Sequence, residues 1–153
     1  MKTPALIYRL TVNRPVELLR ALFNLFSSNE TLISLEGDLS YFDSRDFQII
    51  SQTPIDVASP GAISKKGKVV LLLNSATRDS FEKNILSRTG IHSRIYHILI
   101  TVSDETVFAS YDNFSDGCVW VSAHVREEWL NSLVESKIIK GFEITKSSTS
   151  EVL

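Results

Sequence analysis

Ile95-Tyr96-His97-Ile98-Leu99-Ile100-Thr101-Val102, then Ser103-Asp104-Glu105, then Thr106-Val107-Phe108-Ala109-Ser110-Tyr111-Asp112, is the stretch on which the reading of this chain turns. Both flanking runs are rich in β-branched and aromatic residues, which suit a pleated surface. Three polar residues separate them. The pattern is that of a β-hairpin with a short loop, although the Asn-Gly pair that marks the tightest hairpins is missing. Strand side chains alternate between faces. Tyr96, Ile98, Ile100 and Val102 therefore share one face, and His97, Leu99 and Thr101 share the other. The first face is apolar and implies a covering layer of helix or sheet.

Working outward, Cys118-Val119-Trp120-Val121 reads as a further short strand, and the intervening Asp112–Gly117 as a turn-rich loop. Val69 to Leu73 is an uninterrupted apolar run between polar flanks, the pattern expected of a central strand buried on both faces. Leu6, Tyr8, Leu10 and Val12 alternate through a strand within 3–12, and 32–39 reads as another, with Gly37 a place for a bulge or a close approach. A turn and a short strand are expected over 41–50, and a last strand over 138–144.

Helices are expected in three places. Pro15 suits a first helical position, with Asn13 or Arg14 before it as the cap; Asn is the better capping residue. That helix, 15–27, carries Leu19, Leu22, Phe23 and Phe26, and Leu18 and Leu25 widen its apolar stripe to two sides. A second helix follows Asn74–Thr77 and buries Phe81 and Ile85 before Thr89-Gly90 stops it. A third follows Ser122, a candidate cap, with Val125, Trp129 and Leu133 four residues apart. Gln52 to Lys68 holds Pro54, Pro60, Gly61 and Gly67 and is read as a long loop. The sum is an α+β protein: a single-layer, largely antiparallel or mixed sheet of about six to seven strands, packed by about three α-helices. Residues 1–145 are expected to form one domain and 146–153 a flexible tail.

The chain has 153 residues, 43% apolar and 22% charged, with a net charge of −2. Those figures fit one soluble globular domain and argue against a general phosphate-binding surface. A single cysteine, Cys118, excludes an intrachain disulfide and favours a reducing compartment. Neither the Ala5–Ile7 run nor the interrupted segment 16–26 approaches the roughly 20 apolar residues a bilayer demands. A cytoplasmic location is expected.

Reactive constellations are scarce. Gly37-Asp38-Leu39-Ser40 has the residues of an esterase block but not its order, because Leu39 separates the acid from the serine. Cys118 lies in an apolar strand, whereas an activated thiolate needs a cation or a helix amino terminus beside it. Asp112, Asp116 and His124 would have to meet across a loop to hold a divalent ion, and turn formation explains the two acids without one. No Gly-rich phosphate loop occurs. Lys65, Lys66 and Lys68 form a basic knot beside the aggregation-prone run 69–73, where charge is protective. No catalytic residue, metal or cofactor is therefore assigned.

Charge segregation is what remains. Glu36, Asp38, Asp43, Asp46 and Asp56 meet one cation, Arg45, in 36–56. Asp104, Glu105, Asp112, Asp116, Glu127 and Glu128 meet one, Arg126, in 104–128. Rings interleave with the acids. Charge steers encounter and aromatic side chains supply binding energy, so a patch of Asp38, Tyr41, Asp43, Asp46, Tyr111, Asp112, Phe114 and Asp116 is expected to dock a basic protein partner. In build, meaning length, mild acidity and α+β pattern, the chain resembles the small immunity proteins that bacteria raise against secreted toxins, many of them cationic nucleases. That resemblance implies a non-enzymatic binding protein that occludes its target. The alternative is a small enzyme or ligand-binding protein with a pocket between the sheet and helix 126–136, using Cys118, His124 or His97. Self-association through helix 15–27 is a third expectation.

Overall fold

The structure, a computed structural model, describes residues 6–39, 47–54, 66–87 and 94–146. Along them run β1 (Leu6–Val12), α1 (Pro15–Phe26), β2 (Thr31–Asp38), β3 (Ile49–Pro54) and β4 (Lys66–Leu72). Next come α2 (Arg78–Phe81, continued by a π-helical turn, Glu82–Leu86), β5 (Ile95–Val102), β6 (Glu105–Ser110), β7 (Val119–Ser122), α3 (Glu127–Glu135) and β8 (Ile139–Lys146). The strands form one eight-stranded sheet in the order β3-β4-β2-β5-β6-β7-β1-β8. Every neighbouring pair is antiparallel. The class is α+β with helices on a sheet, but the described strands number eight rather than six or seven. β3 overlaps the short strand expected within 41–50 only at Ile49 and Ile50 and runs on to Pro54, into the stretch read as a loop. It is an edge strand ending in Pro54, and a strand paired on one side only needs little of the apolar alternation by which strands are read.

The β5–β6 hairpin is tighter than its sequence implies. Glu105 already pairs with Val102, so the loop is Ser103-Asp104 alone. Both residues have positive φ, 49° and 66°, the signature of a two-residue turn whose twist matches the flanking strands. Neither is glycine. Glu30 compensates: its carbonyl accepts the Ser103 N–H at 3.1 Å, and its carboxylate accepts the Ser103 hydroxyl.

One face of the sheet holds the main core. Leu10, Ile33, Leu35, Val69, Leu71, Ile98, Ile100, Phe108, Val119 and Val121 are buried there. Leu18, Leu19, Leu22 and Phe23 of α1, Phe81 and Ile85 of α2, and Leu130 and Leu133 of α3 close over them. All three helices thus pack on one face, and among the described residues none covers the other. That second face has a core of its own, made of Ile7, Ala109 and Trp120 with Leu99 and Tyr111 against them.

Several local expectations are corrected. The 69–73 run is second from the sheet edge: Val69, Leu71 and Leu73 are buried, while Val70 and Leu72 are half-buried on the second face. The cap position of α1 is Arg14, without a side-chain bond, because the Asn13 amide is committed elsewhere, to the Lys137 carbonyl at 2.7 Å. Ser122 does not cap α3, whose cap position is Arg126; its hydroxyl accepts the His124 N–H at 3.2 Å and shapes the preceding turn. Gln52–Pro54 and Lys66–Lys68 belong to β3 and β4 rather than to a loop. Lys146, the first residue of the expected tail 146–153, ends β8 instead; Gly90, the stop proposed for α2, and residues 147–153 lie outside the described residues.

Gly37 is where two strands come closest. A Cβ there would stand 2.3 Å from the Arg94 carbonyl oxygen, so only glycine lets β2 meet the start of β5. A register shift between Glu36 and Gly37 marks the spot. Away from the sheet, Arg20 of α1 grips Glu82 of α2 through Nε and Nη2, at 2.9 and 2.6 Å, and Glu17 through Nη1 at 2.7 Å. The forked contact holds the Glu82 carboxyl below its usual range and raises the guanidinium above its own.

Candidate functional site

Antiparallel pairing sorts the acidic and aromatic residues onto two opposite ends of the sheet. The end of β2, the start of β5 and the connection from β6 to β7 lie together, joined by Gly37 opposite Ile95 and by the Asn113 N–H donating to the Tyr96 carbonyl at 3.0 Å. The β5–β6 turn, the start of β1 and the end of β7 lie at the other.

The loop after β6 is the most constrained segment of the first end. Asp112, Asn113 and Phe114 have φ of 50°, 58° and 63°, three consecutive non-glycine residues in the left-handed region. Each costs about 1–2 kcal/mol of backbone energy, so the surroundings must hold them. Contacts with β5, with the neck of the loop and with the core do so. The Asp112 N–H donates to His97 Nδ1 at 3.3 Å, and the Asn113 side chain adds a bond to the Ile95 carbonyl at 3.4 Å. Tyr111 N–H donates to the Cys118 carbonyl at 3.0 Å, closing the neck. Phe114 is 7% exposed and belongs to the main core. From β1, Arg9 Nη1 donates to the Gly117 carbonyl at 2.6 Å. Asp112 and Asp116 are left exposed, beside the half-buried ring of Tyr111, which meets His97 edge-on at 5.4 Å.

The residues expected to form a docking patch are distributed as follows. Tyr111, Asp112 and Asp116 stand on this loop at its surface, and Phe114 is its buried anchor rather than an exposed ring. Asp38 ends β2 at the same end of the sheet, half-buried and in register with Lys66. Tyr41, Asp43 and Asp46 lie outside the described residues. The second acidic run divides: Asp104 and Glu105 sit at the opposite end from Asp112 and Asp116. The same separation keeps His124 from Asp112 and Asp116. Among the described residues no three His, Cys, Asp or Glu side chains converge as a metal site.

Two open cavities flank the turn after β7. One, of about 440 Å³, lies on the helix-free side and is lined by Leu6, Ile7, Thr106, Trp120, Ser122 and His124, with Glu105 at its rim. His124 Nε2 lies 3.6 Å from Glu105 Oε1, both side chains largely exposed. Trp120 is 2% exposed and its Nε1–H is buried without an acceptor. The other cavity, about 320 Å³, lies against α3 and is walled by Leu25, Phe26, Val125 and Trp129. Of the three side chains proposed for a sheet–helix pocket, only His124 borders either cavity; Cys118 and His97 are at the far end of the sheet. The inward-facing Trp120 and Ile7 were hidden in the sequence because the second face carries too few apolar residues to show a period. Comparison with protein-family models, with curated proteins and with solved structures finds no match.

Proposed function

We propose that this chain is a non-enzymatic binding protein that docks a basic protein partner through the loop 111–117 and the adjoining end of the sheet. The observation that carries the reading is the loop itself. Three left-handed residues are held by hydrogen bonds and a buried phenylalanine, with Asp112 and Asp116 turned to solvent. A loop ordered before it meets its partner loses little entropy on binding, and strained backbone concentrates where a surface is used. Occlusion of a cationic partner, as by an immunity protein in the cytoplasm, is the mode this supports. Among the described residues no helix is long and apolar enough to cross a membrane. The test is association with a captured partner at two salt concentrations: Asp112→Asn and Asp116→Asn should slow it, and added salt should erase the difference. Equal rates for all three chains at low salt would refute the reading.

A second reading, a small-ligand site in the helix-free cavity, is favoured by one observation, the unpaired indole N–H of Trp120 beside it. Benzamide, an apolar ring with a carbonyl acceptor, should then move the indole N–H resonance saturably. A resonance that stays put through the titration removes this reading.

A further inference from the structure

The bond from the Asp112 N–H to His97 Nδ1 has a chemical condition attached. It exists only while Nδ1 keeps its lone pair, that is, while the imidazole is neutral and carries its one proton on Nε2. Protonation turns the acceptor into a donor and sets two N–H groups against each other. Imidazole is the side chain that changes charge near neutrality. The bond also fastens the first of the three left-handed residues, whose backbone relaxes if released. We propose that His97 is a pH-sensitive latch on the loop 111–117: closed when the imidazole is neutral, opened by its protonation.

The groups around the latch agree with opening on the acid side. Glu36 of β2 stands directly opposite His97, with Lys68 of β4 beyond it. From the loop come the Tyr111 ring and Asp112 itself, and Cys118 lies across from Tyr111. Arg94 precedes β5 and Asp38 ends β2 on the same side of the molecule. A protonated imidazole thus has Glu36 as an alternative partner in the sheet, and Lys68 as the cation that opposes its charge. Closure and protonation exclude each other, because the Nδ1 lone pair cannot hold the Asp112 N–H and a proton at once. Placement on β5, whose pairings fix His97, leaves the loop as the part that moves. In the docking reading, on which its consequence rests, opening withdraws Asp112 from its ordered position and weakens the partner's hold in acid.

The experiment uses the free chain, so its failure is separable from failure of the docking reading. Amide exchange and chemical shifts of Asp112 and Asn113 are followed by NMR across the pH range in which the His97 ring protons titrate. Exchange, corrected for its intrinsic pH dependence, should accelerate roughly five- to tenfold on the acid side, the change that loss of one ordinary hydrogen bond gives. His97→Asn places an uncharged acceptor near Nδ1, and should keep the loop protected at every pH. His97→Phe, which has no acceptor, should leave it open at every pH. His124→Asn, at the far end of the sheet, should not alter the inflection. Protection of Asp112 and Asn113 that ignores the His97 titration, or an inflection that survives in His97→Asn, overturns the latch.

Discussion

Lys68 stands directly opposite Glu36 across the β2–β4 pairing, and Lys66 takes the position opposite Asp38. Acidic and basic runs that are separate along the chain are interleaved by this register, and cross-strand opposite charges are mutually stabilising. Asp112 and Asp116 stand instead on the loop between β6 and β7, where no strand register sets a cation opposite them. Asp38→Asn should therefore change partner association less than Asp112→Asn or Asp116→Asn, each of which should slow it roughly two- to fivefold at low salt. Stopped-flow or surface-capture rates for the three single variants decide the ranking.

Gly37→Ala should destabilise the fold by about 3 kcal/mol, because the new Cβ meets backbone, the Arg94 carbonyl and Ile95 Cα, rather than a movable side chain. Urea unfolding of the variant measures it. A loss below about 0.5 kcal/mol, the range of ordinary surface changes, would show that β2 and β5 are not this close.

Trp120 offers a contrast of two substitutions. Trp120→Phe removes a buried donor that has no acceptor, so stability should stay within about 1 kcal/mol of the parent or rise. Trp120→Ala should cost about 3–5 kcal/mol, by opening a cavity beside Ile7 and Ala109. Thermal melts of both variants test the pair. A large loss in Trp120→Phe would mean that the indole N–H is bonded in solution.

Glu82 links stability to pH. Its carboxyl is held below the usual range by the Arg20 guanidinium, so its contribution is present above the ordinary carboxylate value and is lost as pH falls through the folded value. Arg20 and Glu82 are both more than a third exposed, so the contribution at pH 7 should be under about 1 kcal/mol. Denaturant midpoints of the parent and Glu82→Gln should differ slightly at pH 7 and converge in acid.

Legibility in the sequence followed the number of faces an element buries. Leu19, Leu22 and Phe23 repeat at helical spacing, and α1 was readable from Pro15 to Phe26. Ile98 and Ile100 alternate with Leu99 and Thr101, and β5 was readable to the residue. β3 was readable only at Ile49 and Ile50, where it overlaps the strand expected within 41–50, since an edge strand needs apolar residues on one side at most and its Pro54 signals a loop. The turn at Ser103-Asp104 looked one residue longer because its left-handed geometry is enforced by Glu30, 73 residues away in the chain. Within the candidate site, the turn character and the acids of 112–117 were visible. The role of Phe114 was not: a ring among aspartates reads as an exposed anchor, and only the path of the loop turns it into the core. The His97–Asp112 contact joins positions 15 apart and leaves no local trace.

Capture on the immobilised chain, compared with a variant carrying Asp112→Lys and Asp116→Lys, tests the docking account most directly. Both proteins are first shown to have the same melting temperature. A basic protein held at low salt by the parent, released by high salt and lost by the variant is the predicted result. The same protein held equally by both would contradict it.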